Sequence, residues 1–260
     1  MSVTRPGSQG PGAGATVARR LRRCHLLDRL GPVEPEELTV EQLLARLSTL
    51  ILGLSPGHPV RVGVDGPSAA GKSTLATALA GSIARTGRPS YFTSIDDFHP
   101  PGYKLRAARP DGFASPEEYL REGYDFEAFR RIVLEPAGPD GNRRCRLAWW
   151  KSFEDEAYPE HWVELAESAV IVAEAAFSLL PVFESCWELV IWLDIDADTM
   201  LARVVNRDTW IGDREEILRG YRQRWLPRHE YYERTYLPRD AADIVVDNRR
   251  PDRPRIVKWP

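Results

Sequence analysis

Residues 64–76 read VDGPSAAGKSTLA, and within them Gly66-Pro67-Ser68-Ala69-Ala70-Gly71-Lys72-Ser73 match the pattern G-x-x-x-x-G-K-[ST] without a gap. Only four of the 35 basic residues of the chain are lysine, and one of them stands at Lys72. Each part of the pattern has a chemical reason. Backbone amides that converge on phosphate oxygens need glycine where a side chain would block the approach. A helix that starts near Lys72 adds the positive end of its dipole. Lys72 is then expected to reach the β and γ phosphates, with the Ser73 hydroxyl on Mg²⁺ and Thr74 as ordinary helix. The bland alternative is a glycine-rich turn. The flanks argue against it, because VRVGVD (60–65) reads as a buried strand and Leu75, Leu79 and Ile83 repeat as one inward helix face.

Outward from this loop the chain alternates. YFTSID (91–96), AVIVAE (169–174), LVIWLDI (189–195) and DIVVD (243–247) read as further strands. Helical patterns lie at about 126–134, 197–207 and 214–234. Strands alternating with helices predict an α/β fold, a parallel sheet with helices on both faces, of the P-loop NTPase kind. Polar functional groups then gather at the carboxyl ends of the strands. Before the first strand, Thr39 and Gln42 fit a capping box, and Leu43, Leu47, Leu50 and Leu54 form a helical stripe that Ser55-Pro56-Gly57 ends. The expected organisation is a flexible Gly/Pro/Ser-rich tail over 1–18, an N-terminal helical extension over 19–57 and a kinase domain over 58–260. The basic cluster Arg19–Arg23 reads as a solvated face.

Composition bounds the partners. A formal net charge of -3 gives no general attraction to nucleic acid or to an anionic membrane. No run of 18 apolar residues is present, and the N-terminus lacks a signal-peptide core, so a cytoplasmic protein is expected. Cys24, Cys145 and Cys186 have no metal-type spacing and read as reduced thiols. The implied partner is a small-molecule acceptor, with homo-oligomerisation left open.

A phosphate loop serves NTPases, GTPases and kinases alike. The chain has no Asn-Lys-x-Asp guanine box. TSIDDFH (93–99) favours a kinase, since it places Asp96 and Asp97 at the end of the second strand. A carboxylate there can take the proton of an acceptor hydroxyl, while positioning and charge neutralisation supply the rest. Two adjacent aspartates also make turns and helix caps. Glu174 follows an apolar run, where a lone carboxylate is costly unless paired or near a metal. Arg207 could serve only its helix dipole. RDTWIGDREE (207–216) has the glycine and mixed charge of a mobile lid, or of a simple exposed loop.

VGVDGPSAAGKSTLA, SIDDFH, NRD and ADIVVDN, in this order, resemble the uridine kinase and phosphoribulokinase-like group of P-loop kinases over about residues 58 to 248. The resemblance implies a nucleoside- and nucleotide-kinase-like architecture with a lid, and ATP and Mg²⁺ as cofactors. It implies Asp96 as catalytic base, His99 beside the acceptor, Glu174 at the metal, and Arg207 and Arg214 as lid arginines. Asp97 falls in the family's variable position, and Tyr124-Asp125 match a short family element. The chain departs from the family at Ala175-Ala176, where glycine is common, at Gly212, where a lid arginine is usual, and at Lys151, where an acid is common. RLAWWKSFEDE (146–156), with Lys151, falls where the family has its nucleoside-contacting segment, and Trp149 and Trp150 in it could stack on a base, fill core or stand on an exposed strand. The favoured acceptor is the 5′-hydroxyl of a pyrimidine nucleoside. Another sugar-like or natural-product alcohol is the alternative, and so is ATP binding without transfer.

Overall fold

The computed structural model describes residues 36–109 and 113–260. The expectations for the 1–18 tail, Arg19–Arg23, Cys24 and the start of the N-terminal extension lie outside these residues. A seven-stranded sheet forms the centre. Its strands are β1 (Glu36–Glu37), β2 (Val60–Asp65), β3 (Ser90–Ser94), β4 (Val170–Glu174), β5 (Leu189–Asp194), β6 (Ile244–Asp247) and β7 (Arg255–Lys258), and their spatial order is β1-β7-β6-β5-β2-β4-β3. The run β6-β5-β2-β4-β3 is parallel. The β7 strand pairs antiparallel with β6 and with β1 at the edge.

Side-chain alternation divides the parallel strands between two cores. Val60, Val62, Val64, Val170, Val172, Leu189, Ile191 and Leu193 face one side. Ile171, Ala173, Val190 and Trp192 face the other. Helices α1 (Val40–Leu52) and α2 (Lys72–Ala84) cover the first side. The Thr39–Gln42 capping box is present, and Leu43, Leu47, Leu50 and Leu54 are buried in the same core as α2. Arg61 is the exception among the strand's apolar residues. Glu188 satisfies it through two bonds, at 3.0 and 2.7 Å, as burial of a guanidinium requires.

The expected helices over 197–207 and 214–234 also form, as α4 (Ala197–Arg207), α5 (Arg214–Gly220) and α6 (Leu226–Tyr236), preceded in the chain by α3 (Pro116–Glu122). A π-helical turn over Tyr221–Trp225 joins α5 to α6. Pro227 explains the widening, because it offers no N–H to the preceding turn. The second strand is shorter than the expected 91–96. It stops at Ser94, whose hydroxyl accepts the Asp96 N–H at 3.2 Å and turns the chain into a 3₁₀ segment, Ile95–Asp97. Asp96 and Asp97 therefore sit on a turn beyond the strand. No helix among the described residues is long and apolar enough to cross a membrane.

Candidate functional site

The phosphate loop connects β2 to α2 and is shaped by positive-φ residues. Gly66 has φ 149°, and a Cβ there would lie 2.5 Å from the Leu193 carbonyl oxygen. Gly71 has φ 98° and precedes the first turn of α2. Both glycines are thus required by backbone geometry. Lys72 folds back across the loop, and its Nζ donates to the Pro67 carbonyl at 2.9 Å. Three residues from the C-terminal half brace the loop from outside. His229 Nε2 accepts the Ser68 N–H at 3.1 Å. Arg203 donates to Ala69 O at 3.0 Å, and Asn248 Nδ2 donates to Ala70 O at 2.7 Å. Among the described residues, nothing accepts from the N–H groups of Gly71, Lys72 and Ser73. Burial drives the His229 pKa down to about 3, with Lys72 adding to the effect, so the ring is neutral.

Asp65 closes β2 beneath the loop. Its carboxylate accepts from the N–H groups of Gly66, Phe177 and Ser178 and from the hydroxyls of Ser178 and Tyr232, all within 2.7–3.1 Å. Burial still raises its pKa. No motif marked Asp65 as a support, nor His229 or Arg203. Asn248 lay within the ADIVVDN likeness without a role.

Parallel pairing sets Glu174 beside Val64 and Ser94, and so beside the loop. Ser94 Oγ donates to Glu174 Oε2 at 3.1 Å, and Ser73 nearby also favours the ionised form of this carboxylate. Burial raises the Glu174 pKa and the Asp96 charge adds to it, while Lys72 opposes both. Asp96 Oδ1 accepts from Tyr124 Oη at 3.1 Å. Asp97 points elsewhere and accepts from Tyr158 Oη at 2.6 Å. Its pKa is raised, first by burial and then by Glu174. Asp96 and Asp97 thus both lie near Glu174, and Glu174 lies near Lys72. Among the described residues no three acidic, His or Cys side chains converge as a complete ligand set. Mg²⁺ bound with a nucleotide keeps waters and phosphate oxygens as most of its ligands. Ser73 and Glu174 would hold the ion, whose charge would offset the buried acid and neutralise the phosphates.

On the acceptor side, His99 is buried between Tyr103 and Tyr124, with ring centroids at 3.7 and 4.4 Å. Its Nδ1–H donates to Gly123 O at 2.7 Å, and burial lowers its pKa to about 4. Trp150 donates its Nε1–H to Asp155 at 3.0 Å, and Lys151 Nζ donates to Glu156 at 2.6 Å. Both residues lie in a small hairpin, Trp150–Lys151 against Glu156–Ala157. Trp149 is covered by the Arg146 guanidinium at 4.9 Å.

The lid arginines point away from the other predicted groups. Arg207 donates to both oxygens of Asp208, at 2.7 and 2.9 Å, and to Tyr221 Oη at 3.0 Å. Arg214 is exposed on the first turn of α5, between the two partners of the Asp213–Glu216 capping box. In this structure the arginine that touches the loop is Arg203, one turn earlier. The exposed rings of Phe153 and Trp210 meet edge to face at 5.7 Å, so the lid segment rests on the hairpin.

The loop, the parallel sheet and the strand order define the class: this is a P-loop kinase fold, as the sequence motifs implied. Solved structures of kinases share it. A possible uridine kinase from Bacillus stearothermophilus aligns over 79% of this chain and 98% of its own, at 21% identity and TM-score 0.59. A candidate fructose transport system kinase from Silicibacter sp. TM1040 aligns over 78% and 98%, at 25% identity and TM-score 0.61. D-glycerate 3-kinase from Cryptococcus neoformans var. grubii aligns over 75% and 89%, at 14% identity and TM-score 0.51. No protein-family model and no curated protein matches the sequence.

Proposed function

We propose that this chain is a kinase that moves the γ-phosphoryl group of Mg·ATP to a hydroxyl of a small, sugar-like molecule. The observation that carries the reading is the placement of both Asp96 and Lys72 near Glu174, at the ends of β3, β2 and β4. Gly66 to Ser73 bind the triphosphate, with Thr74 as helix behind them. Lys72 neutralises the phosphates, and Ser73 and Glu174 hold the ion. Asp96, oriented by Tyr124, takes the acceptor proton. The acceptor oxygen–phosphorus bond forms as the bond to the β,γ-bridging oxygen breaks, and ADP departs. Arg207 and Arg214 reach the transferring group only after the lid shifts and Arg207 leaves Asp208.

The aromatic packing favours a sugar-like alcohol over a pyrimidine nucleoside. Both faces of His99 are already covered, Trp149 lies under Arg146, and Trp150 is tied to Asp155. His99, held between two rings, has no face left to stack a base. Asp97 and Lys151 are likewise engaged by protein partners. The test is incubation with Mg·ATP and a panel of nucleosides, sugars and sugar acids. Acceptor-dependent ADP release, with a product heavier by one phosphoryl group, is expected. ATP binding without turnover across the panel would favour a non-catalytic nucleotide-binding protein instead.

A further inference from the structure

Arg228 lies three residues past the π-helical turn, beside the His229 that braces the phosphate loop. Its guanidinium covers the Tyr119 ring at 3.6 Å and lies 5.6 Å from the Phe113 ring. Among the described residues no carboxylate lies within ion-pairing distance of it, and it donates no hydrogen bond. Burial disfavours its charge, and the nearby Arg224 guanidinium repels it further. A largely buried cation with no counter-ion among the described residues is expensive. Both arginines open onto a cavity of about 330 Å³, lined also by Arg109, Phe113, Ser115 and Gln223. That volume suits a small metabolite.

A continuous wall joins this cavity to the reacting end. Arg228 rests on Tyr119, the Tyr119 and Tyr124 rings meet edge to face with centroids 6.0 Å apart, and Tyr124 donates to Asp96. A ligand along that wall can present a hydroxyl to Asp96 and an anion to the arginines. We propose that Arg228, aided by Arg224, binds a carboxylate or phosphate-ester group of the acceptor, so that the substrate is an anionic alcohol. This rests on the kinase reading and names the class of substrate for the same site. Guanidinium forks bind both kinds of oxyanion through paired hydrogen bonds. The ring contact alone would leave Arg228 a packing residue, and the test separates the two roles.

Protein saturated with Mg²⁺ and a non-hydrolysable ATP analogue, so that the phosphate loop is filled, is titrated calorimetrically with inorganic phosphate and, separately, with D-glycerate. Saturable binding of at least one probe is expected, and which one binds tells a phosphate ester from a carboxylate. Arg228→Gln should weaken that binding about tenfold or more, while Arg228→Lys weakens it less. Analogue affinity should change less than about twofold in both variants, which also reports intact folding. Should Arg228→Gln not fold, Arg224→Gln serves, with an expected loss of about threefold. The proposal is overturned if neither probe binds saturably, or if the variants bind as the parent does. Its failure differs from that of the kinase reading. A neutral alcohol phosphorylated in an Asp96-dependent way, with no anion bound, leaves the kinase and removes this inference. Anions bound through Arg228 with no acceptor turned over do the reverse.

Discussion

In the proposed site Gly66 to Ser73 form the phosphate end from one contiguous stretch, whereas the walls around Asp96 come from residues near 99–103, 119–124, 150–158 and 228. At the first end the contacts are mostly backbone. Loop carbonyls are held by Lys72, Arg203 and Asn248, and one amide by His229. At the second end they are side chain on side chain: His99 between two tyrosines, Tyr124 on Asp96, and Tyr158 on Asp97. Backbone geometry tolerates few residue types, so the first end is narrowly specified. Aromatic packing tolerates many shapes, so the second end is where one fold can acquire different acceptors. The comparison implies that changes at the two ends damage different steps.

The largest separation is expected from Asp96→Asn. Removing the proton acceptor should lower turnover by about 10²–10⁴-fold and leave Mg·ATP affinity nearly unaltered. A variant with near-normal turnover would refute the assignment of the base. Next comes Gly66→Ala on the opposite end. The methyl would press on the Leu193 carbonyl at 2.5 Å, at a φ of 149°. The loop must then deform, so Mg·ATP binding should fall below detection in calorimetry, or the protein should lose several degrees of Tm. Unchanged nucleotide affinity at parental Tm would mean that the loop does not bind phosphate in this shape. Lys72→Ala should weaken both binding and transfer, since its charge serves each.

His229 tests whether the brace belongs to the phosphate end alone. Its folded pKa, about 3, lies below the ordinary 6.5. The unfolded chain therefore binds the proton more readily between these values. The stability this group contributes is present above about pH 6.5 and is lost as pH falls toward 3, at up to about 1.4 kcal/mol per unit. Burial raises Glu233 to about 7, and that group acts with the opposite sign over much of the same range. The difference between parent and variant isolates the histidine. The stability advantage of the parent over His229→Gln, from urea unfolding, should shrink between pH 7 and pH 5. An advantage that stays constant or grows would show that His229 is not held neutral.

The two ends also differ in how far the sequence reveals them. The phosphate loop, its strand and its helix were legible because each constraint is local: a glycine at a positive φ, and a helix period starting at Lys72. The burial of Glu174 at the end of its strand was legible because a charge closing an apolar run is anomalous by itself. The braces were not. Asp65 looks like a strand end, and His229 and Arg228 look like ordinary helix residues. Their roles arise from a π-helical turn ahead of Pro227 and from contacts across more than 150 residues, such as Ser68 with His229. The lid arginines were legible as arginines, but their partners depend on a lid position that no local pattern encodes.

The smallest effect is expected at Lys151, where the family likeness and the structure pull apart. The likeness sets this residue at the nucleoside contact. The structure turns it toward solvent, where Glu156 holds its amine at 2.6 Å and raises its pKa. An exposed pair of this kind contributes little, about 1 kcal/mol or less. If the hairpin only supports the wall through Trp150 and Asp155, then Lys151→Ala should change kcat/KM less than about threefold, and Trp150→Phe, which releases Asp155, should do more. Asp155 also accepts the Gly102 N–H at 2.8 Å, one residue before Tyr103 and its stack on His99. Loosening Asp155 therefore reaches the acceptor end through the backbone. A large rise in KM for Lys151→Ala alone, with Trp150→Phe silent, would invert this order and make the lysine a direct contact of the acceptor.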